Sequence, residues 1–235
     1  MRKVSNDIQK VKKVMTNFRE YLGERHLKLE FLLEYGSQVF NLHTLDSDVD
    51  MLAVVSQPVE EYLSLKDSYK TWSDFKEGSV TIQLMDLKRF YQLSNSSNFT
   101  LYTGLQNVWF CSNAQQPNHL EFSLKKLAHH CLGLMDNNSQ RQYMKAYSAL
   151  FVMFLMQNGH HPTTLDYLYL LDNVANVPTE IKETLELKKQ GVKLSDAVIL
   201  KPYTHEQVNV LPESVVDNND KWLNWLRQND EQYLD

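Results

Sequence analysis

Leu33-Glu34-Tyr35-Gly36-Ser37, followed after ten residues by Asp48-Val49-Asp50-Met51-Leu52, is the stretch on which the fold turns. The apolar run Leu27 to Tyr35 reads as a strand stopped by Gly36-Ser37, and Val49 to Val55 as a second strand stopped by Ser56-Gln57-Pro58. The polar segment between them has room for one helical turn. Side chains alternate along a strand, so Asp48 and Asp50 point the same way while Val49 and Met51 face the core. Two carboxylates sharing one edge repel each other, and a hard divalent cation such as Mg²⁺ or Mn²⁺ relieves this, accepting one or two protein carboxylates plus phosphate oxygens. A glycine at the neighbouring strand end lets the backbone approach a phosphate, and Ser37 adds a hydroxyl. The pattern points to a nucleoside triphosphate (NTP) site.

Outward from this stretch, Ile8, Val11, Val14, Phe18 and Leu22 have the spacing of an amphipathic helix over Asp7 to Leu22, closed by Gly23. Tyr69 to Phe75 and Ser79 to Met85 flank Lys76-Glu77-Gly78 as a hairpin. Asp86 is placed to cap a helix that pauses in the Ser/Asn cluster of residues 94–98 and then resumes. Beyond Pro117, helical periodicity covers Phe122 to Met135, Gln140 to Asn158, Thr164 to Leu171, Pro178 to Gln190 and Asp217 to Gln228; residues 191–212 carry no clear pattern. The expectation is an α+β protein with two domains: a palm of residues 1–115, built on a mixed sheet with flanking helices, and a helical domain of residues 116–235.

Composition narrows the classes further. A chain of 235 residues is long enough to bury a proper core, and seven Gly and six Pro exclude collagen-like or linker-rich architecture. The net charge of −5 excludes a globally basic nucleic-acid binder, so any such grip is local. Cys111 and Cys131 have neither disulfide-framework nor zinc-ligand spacing, and no apolar stretch is long enough to span a membrane. A cytoplasmic protein without a membrane partner is expected.

The segment GSQVFNLHTLDSDVDMLAV, residues 36–54, resembles the signature of the DNA polymerase β-like nucleotidyltransferases, and within them the RNA-repair-associated (RlaP-type) branch. Asp86-Leu87-Lys88-Arg89-Phe90 resembles that branch's Leu-Arg-Lys-Phe helix start, and Asn98 with Thr100 stands where it carries Asn-Pro-Thr. The likeness covers residues 30–165. It implies a palm with a helical domain behind it, and transfer of a nucleoside monophosphate from an NTP to a hydroxyl on an RNA or tRNA end, with pyrophosphate released. By this resemblance Asp48 and Asp50 hold Mg²⁺ or Mn²⁺, Gly36 and Ser37 hold the triphosphate, and Lys145, with Lys88, neutralises phosphate charge.

The departures are as specific as the matches. Asn41 replaces a Gly, which Asn tolerates because it enters the left-handed region; Phe99 replaces a Pro, and Thr103 an acidic residue. The superfamily's third carboxylate sits on a later strand, where Val80-Thr81-Ile82-Gln83-Leu84 offers only Thr81 and Gln83 outward. Asp86 is the remaining acidic candidate for catalysis, in competition with its role as a helix cap. Two alternatives stay open: a nucleotide- or RNA-binding module with impaired catalysis, and transfer to a protein hydroxyl.

Other features read as structural. His129 and His130 diverge by about 100° on a helix and do not converge on one ion. His160-His161 forms a loop. The run from Phe151 to Met156 is core, and burial is the default for Tyr35, Trp109 and Tyr147, which could otherwise stack on bases. An RNA acceptor calls for a local basic strip from Lys88, Arg89, Lys125, Lys126 and Lys145.

Overall fold

The computed structural model describes residues 2–44, 47–63, 72–112, 120–137, 139–192, 199–214 and 216–230, and only the backbone of residues 2–10 and 230. Helix α1 (Arg2–Gly23) buries Val11, Val14, Phe18 and Leu22 along one stripe. Its stop is not Gly23 itself. The Leu27 amide donates to Leu22 O and the His26 amide to Gly23 O, with His26 at φ +53°, so a left-handed His26 closes the helix three residues later.

The chain then builds β1 (Lys28–Glu34), β2 (Val49–Ser56), β3 (Phe75–Glu77), β4 (Val80–Asp86) and β5 (Val108–Cys111), ordered β3-β4-β2-β1-β5 in one sheet. β2 runs parallel to β4 and antiparallel to β1; β3 and β5 are antiparallel edges. Strand β2 is buried from Met51 to Ser56 because both faces are covered. Val49, Met51, Ala53 and Val55 face α1, while Leu52 and Val54 face α3 (Leu87–Asn95) and α4 (Phe99–Gly104).

Two readings are corrected here. The hairpin reverses at Gly78-Ser79 and keeps Lys76 and Glu77 in the strand, because Gly78, at φ +60°, makes the reversal; residues 69–71 of the expected first strand lie outside the described residues. Val108 to Cys111, expected to continue the helical pattern, instead pairs with β1, where its branched and aromatic side chains suit an edge strand. Elsewhere the caps fall where short polar side chains stand. Asp86 accepts from the Lys88 and Arg89 amides, Asn98 from the Leu101 amide and Ser123 from the Lys126 amide.

A second, helical core lies beside the sheet. Helix α6 (Gln142–Asn158) is buried without a break from Ala146 to Leu155 and is wrapped by α5 (Leu124–Asp136), α7 (Tyr167–Asp172) and α8 (Thr179–Lys189). Val39, Phe40 and Leu42, from the loop after β1, belong to this core, with Phe40 stacked on Tyr147 at 3.9 Å between ring centroids. The pattern-poor stretch before the last helix holds a 3-10 turn at Gln207–Val210 that buries Val208; residues 193–198 lie outside the described residues. Helix α9 (Asn219–Asp230) returns to the sheet, where Trp225 is buried with Leu52, Val54 and Phe90, and Trp222 meets Tyr62 and Tyr91. Helices after residue 116 thus divide between the two cores. Among the described residues no helix is long and apolar enough to cross a membrane.

His130 and His161 are partly buried, and burial lowers the pKa of both imidazoles from the ordinary 6.5. The fold therefore favours the neutral form of both, and the His130 Nδ1 accepts from the Phe99 amide at 3.4 Å. The unfolded chain takes up protons first, so their stabilisation is complete above about 6.5 and is lost as pH falls toward the folded values. Thermal melts between about pH 7.5 and 5.5 are expected to show a falling melting temperature, with the slope reduced in His130→Gln.

Candidate active site

The site forms where β1 ends and β2 begins. Tyr35 leaves β1 fully extended, its amide donating to Asp50 O at 3.1 Å, and the chain then tightens into a 3-10 turn at Gly36–Gln38. Gly36 has φ +78°, and a Cβ added to it would stand 3.4 Å from Asp50 Oδ2. The left-handed backbone is what favours glycine here, and the turn it makes lies in van der Waals reach of the Asp50 carboxylate. Ser37 is buried; its carbonyl accepts from the Leu42 amide at 2.8 Å, closing the loop on itself. Asn41 lies at φ +57°, the left-handed conformation that its substitution for Gly had to tolerate.

Asp48 is exposed and Asp50 half-buried. Burial pushes the Asp50 carboxyl above its ordinary range; Arg141 opposes the shift and Asp48 adds to it. That balance suits a divalent cation, which would relieve both the desolvation and the mutual repulsion. Among the described residues no group of three or more His, Cys, Asp or Glu side chains could hold a metal, so these two carboxylates would leave the remaining coordination to ligand oxygens or water.

The cations that reach the site come from α6 and α8, both expected as helices, but from residues outside the motifs. Arg141 stands at the start of α6, and its charge reaches Asp50, Tyr143 and Lys188. Lys188 Nζ, from the end of α8, lies 5.2 Å from the Tyr143 ring centroid. Its pKa is lowered by burial and by Arg141, as expected of two cations held near one another. Burial raises the Tyr143 and Tyr35 hydroxyls, and Asp50 raises both further, so both phenols stay protonated beside the acids. Arg141 on its own reads as an ordinary solvated helix residue, and Lys188 joins the site only through the docking of α8 on α6, a contact that leaves no local signal in the sequence.

The remaining expected residues fall elsewhere. In the parallel register Asp50 pairs with Thr81 and Asp86 with Val55, which sets Asp86 about 16 Å along the sheet from Asp50. Asp86 is buried, accepting from Gln57 Nε2 at 2.9 Å and the Tyr62 hydroxyl at 3.1 Å besides capping α3; the structure uses it as a structural hub. Lys88 follows it to that far end. Lys145 lies one turn into α6, its amide bonded to Arg141 O, whereas the cation felt at Asp50 is Arg141. The expected basic strip does not assemble: Lys125 pairs with Glu213 at 2.9 Å, Lys126 bonds Asn95 O, and Lys88 and Arg89 sit at the start of α3. His129 meets His205 and Asn209 while His130 turns to Phe99, the expected divergence. Tyr147 is consumed by Phe40 and by a hydrogen bond to Leu165 O.

A family model settles the relationship. The RNA repair pathway DNA polymerase beta family, RlaP, matches residues 11–225. The chain belongs to this family. The match extends well beyond residues 30–165, taking in most of α1 and reaching Trp225 of α9, so both sequence extremes that cover the sheet are part of the family pattern. No curated protein matches the chain.

Two substitutions separate the roles of the acids. Asp86→Ala is expected to destabilise the fold by at least about 1 kcal/mol in urea melts, through the lost cap and the orphaned Gln57 and Tyr62. Asp50→Asn, which removes a half-buried charge, is expected to raise the melting temperature of the metal-free protein and to abolish any further rise on adding Mn²⁺.

Proposed function

We propose that the protein transfers a nucleoside monophosphate from an NTP to a hydroxyl acceptor, an RNA or tRNA end, and releases pyrophosphate. The observation that carries this reading is the pairing of Asp48 and Asp50 with the Gly36–Ser37 turn across from Arg141: carboxylates on one wall, cations on the other. Membership of a polymerase β-like family tied to RNA repair supports the transferase class and the acceptor. In this reading the nucleotide sits between a palm, taken as residues 1–115, and helices α6 and α8 of the 116–235 part.

In this reading Asp48 and Asp50 hold Mg²⁺ or Mn²⁺, which when bound neutralises phosphate charge and polarises the phosphoryl group under attack. The Gly36 backbone and Ser37 receive the triphosphate, and Arg141 and Lys188 balance its outer charges, a task the sequence assigned to Lys145 and Lys88. Tyr35 and Tyr143, kept protonated, are hydrogen-bond donors at the floor and wall. Such chemistry depends on placement and charge neutralisation, so removing a metal ligand costs several kcal/mol of transition-state stabilisation, on the order of 10²-fold or more in rate.

A second reading rests on Thr81, which stands opposite Asp50 in the register, and Gln83, two residues on; neither is an acid. In it the protein binds a nucleotide or RNA end without turning it over. The deciding experiment incubates the protein with each α-labelled NTP, Mg²⁺ or Mn²⁺, and total RNA. Label in RNA with wild type and none with Asp48→Asn or Asp50→Asn is the expected result. Label in protein instead moves the acceptor to a protein hydroxyl, and metal-dependent NTP binding without transfer favours the binding module.

A further inference from the structure

Ten residues separate Ser37 from Asp48, and the two halves of the site keep their register only if that connection is held. The end of α8 touches it twice. Lys189 Nζ donates to Asn41 O at 2.6 Å and to Asn41 Oδ1 at 2.7 Å. Two residues on, Gly191 takes φ +82°, and a Cβ there would lie 3.5 Å from Thr44 Cγ2. Asn41 in turn donates from Nδ2 to Asp166 Oδ2 at 3.0 Å, and Asp166 caps α7 by accepting from the Leu168 amide. The Tyr167 amide adds a bond to Phe40 O. Beyond Thr44, its amide donates to Ser47 Oγ at 2.8 Å, the residue before Asp48.

A glycine at position 41 would make the left-handed turn with less strain than Asn. What Asn adds is chemical: one acceptor for Lys189 and one donor for Asp166. An ammonium bonding two neutral oxygens at under 2.8 Å forms charge-assisted bonds, worth more than ordinary ones, and orders a long side chain that is otherwise entropically costly to fix. Lys188 and Lys189, adjacent on α8 and therefore about 100° apart, split between the two walls: one lies over Tyr143 near Arg141, the other holds the loop.

We propose that Lys189, acting through Asn41, is a positioning residue: it braces residues 36–44 from α8 and so sets the Gly36–Ser37 turn relative to Asp48 and Asp50. This rests on the nucleotide-transfer reading for its catalytic consequence, and on geometry alone for the brace. It also joins the cationic wall to the acidic one through a single helix end.

The test compares wild type with Lys189→Met, Lys189→Arg and Asn41→Gly in two measurements, amide hydrogen exchange and affinity for Mn²⁺·ATP. In Lys189→Met, exchange at the Asn41 and Leu42 amides, which bond Gln38 O and Ser37 O, is expected to rise about tenfold or more, while the core amides of α6 keep wild-type protection. Affinity for Mn²⁺·ATP is expected to fall about tenfold or more, since small misplacements of a binding constellation are costly. Lys189→Arg restores part of both, and Asn41→Gly resembles Lys189→Met in affinity. Unchanged exchange at Asn41 and Leu42 in Lys189→Met overturns the brace. Loosened amides with wild-type affinity overturn the positioning role. Wild-type protein that binds no Mn²⁺·ATP overturns the functional reading and its catalytic consequence, while the exchange data still judge the brace.

Discussion

Phe40 stacked on Tyr147 is the contact on which the site depends. The loop that begins at Gly36 is fixed to the sheet by the Tyr35 amide on Asp50 O, and five residues later it drives an aromatic ring into the helical core. Strand end and helix bundle are thereby locked through one short segment of chain. The lock brings the start of α6 close enough that the Arg141 charge reaches Asp50.

The charges follow from this geometry. A half-buried carboxylate is unfavourable to ionise, and Arg141 at the head of α6 is what eases it. Arg141 in turn crowds Lys188, so the cations are themselves held in an arrangement that an anion would relax. Each wall is thus poorly satisfied alone and complementary to the other, with Tyr35 and Tyr143 as neutral groups between them. A polar site of this kind is stable only because its supports, the Lys189–Asn41–Asp166 chain and the Phe40 anchor, draw on well-packed surroundings.

Much of this was legible in the sequence because it is local. The apolar alternation through Met51 to Val55 gives β2 its two faces, Gly36 marks the left-handed turn after β1, and Asn41 carries its own left-handed turn in its chemistry. Asp86 announces its helix start for the same reason, whereas the caps Asn98 and Ser123 stand inside stretches read as a pause and as helix. The hairpin slipped because Lys76 and Glu77 look like turn residues although only Gly78 takes the positive φ. Val108 to Cys111 reads as a continuation of the helical pattern because the pairing with β1 that makes it a strand is not local. Family position points to Lys145, whereas the cation whose charge reaches Asp50 is Arg141, one turn earlier at the start of α6. That is a property of tertiary contact, and a single chain of letters does not hold it.

The return of α9 to the sheet changes how the chain must acquire its structure. Trp225 completes the face formed by Phe31, Leu52, Val54 and Phe90, so that face keeps an uncovered apolar patch until a helix more than a hundred residues further along has been made. The part of the molecule that carries the acids is encoded early and finished late. During synthesis its sheet waits, one side covered by α1 and the other incomplete, until α9 leaves the ribosome and seals it.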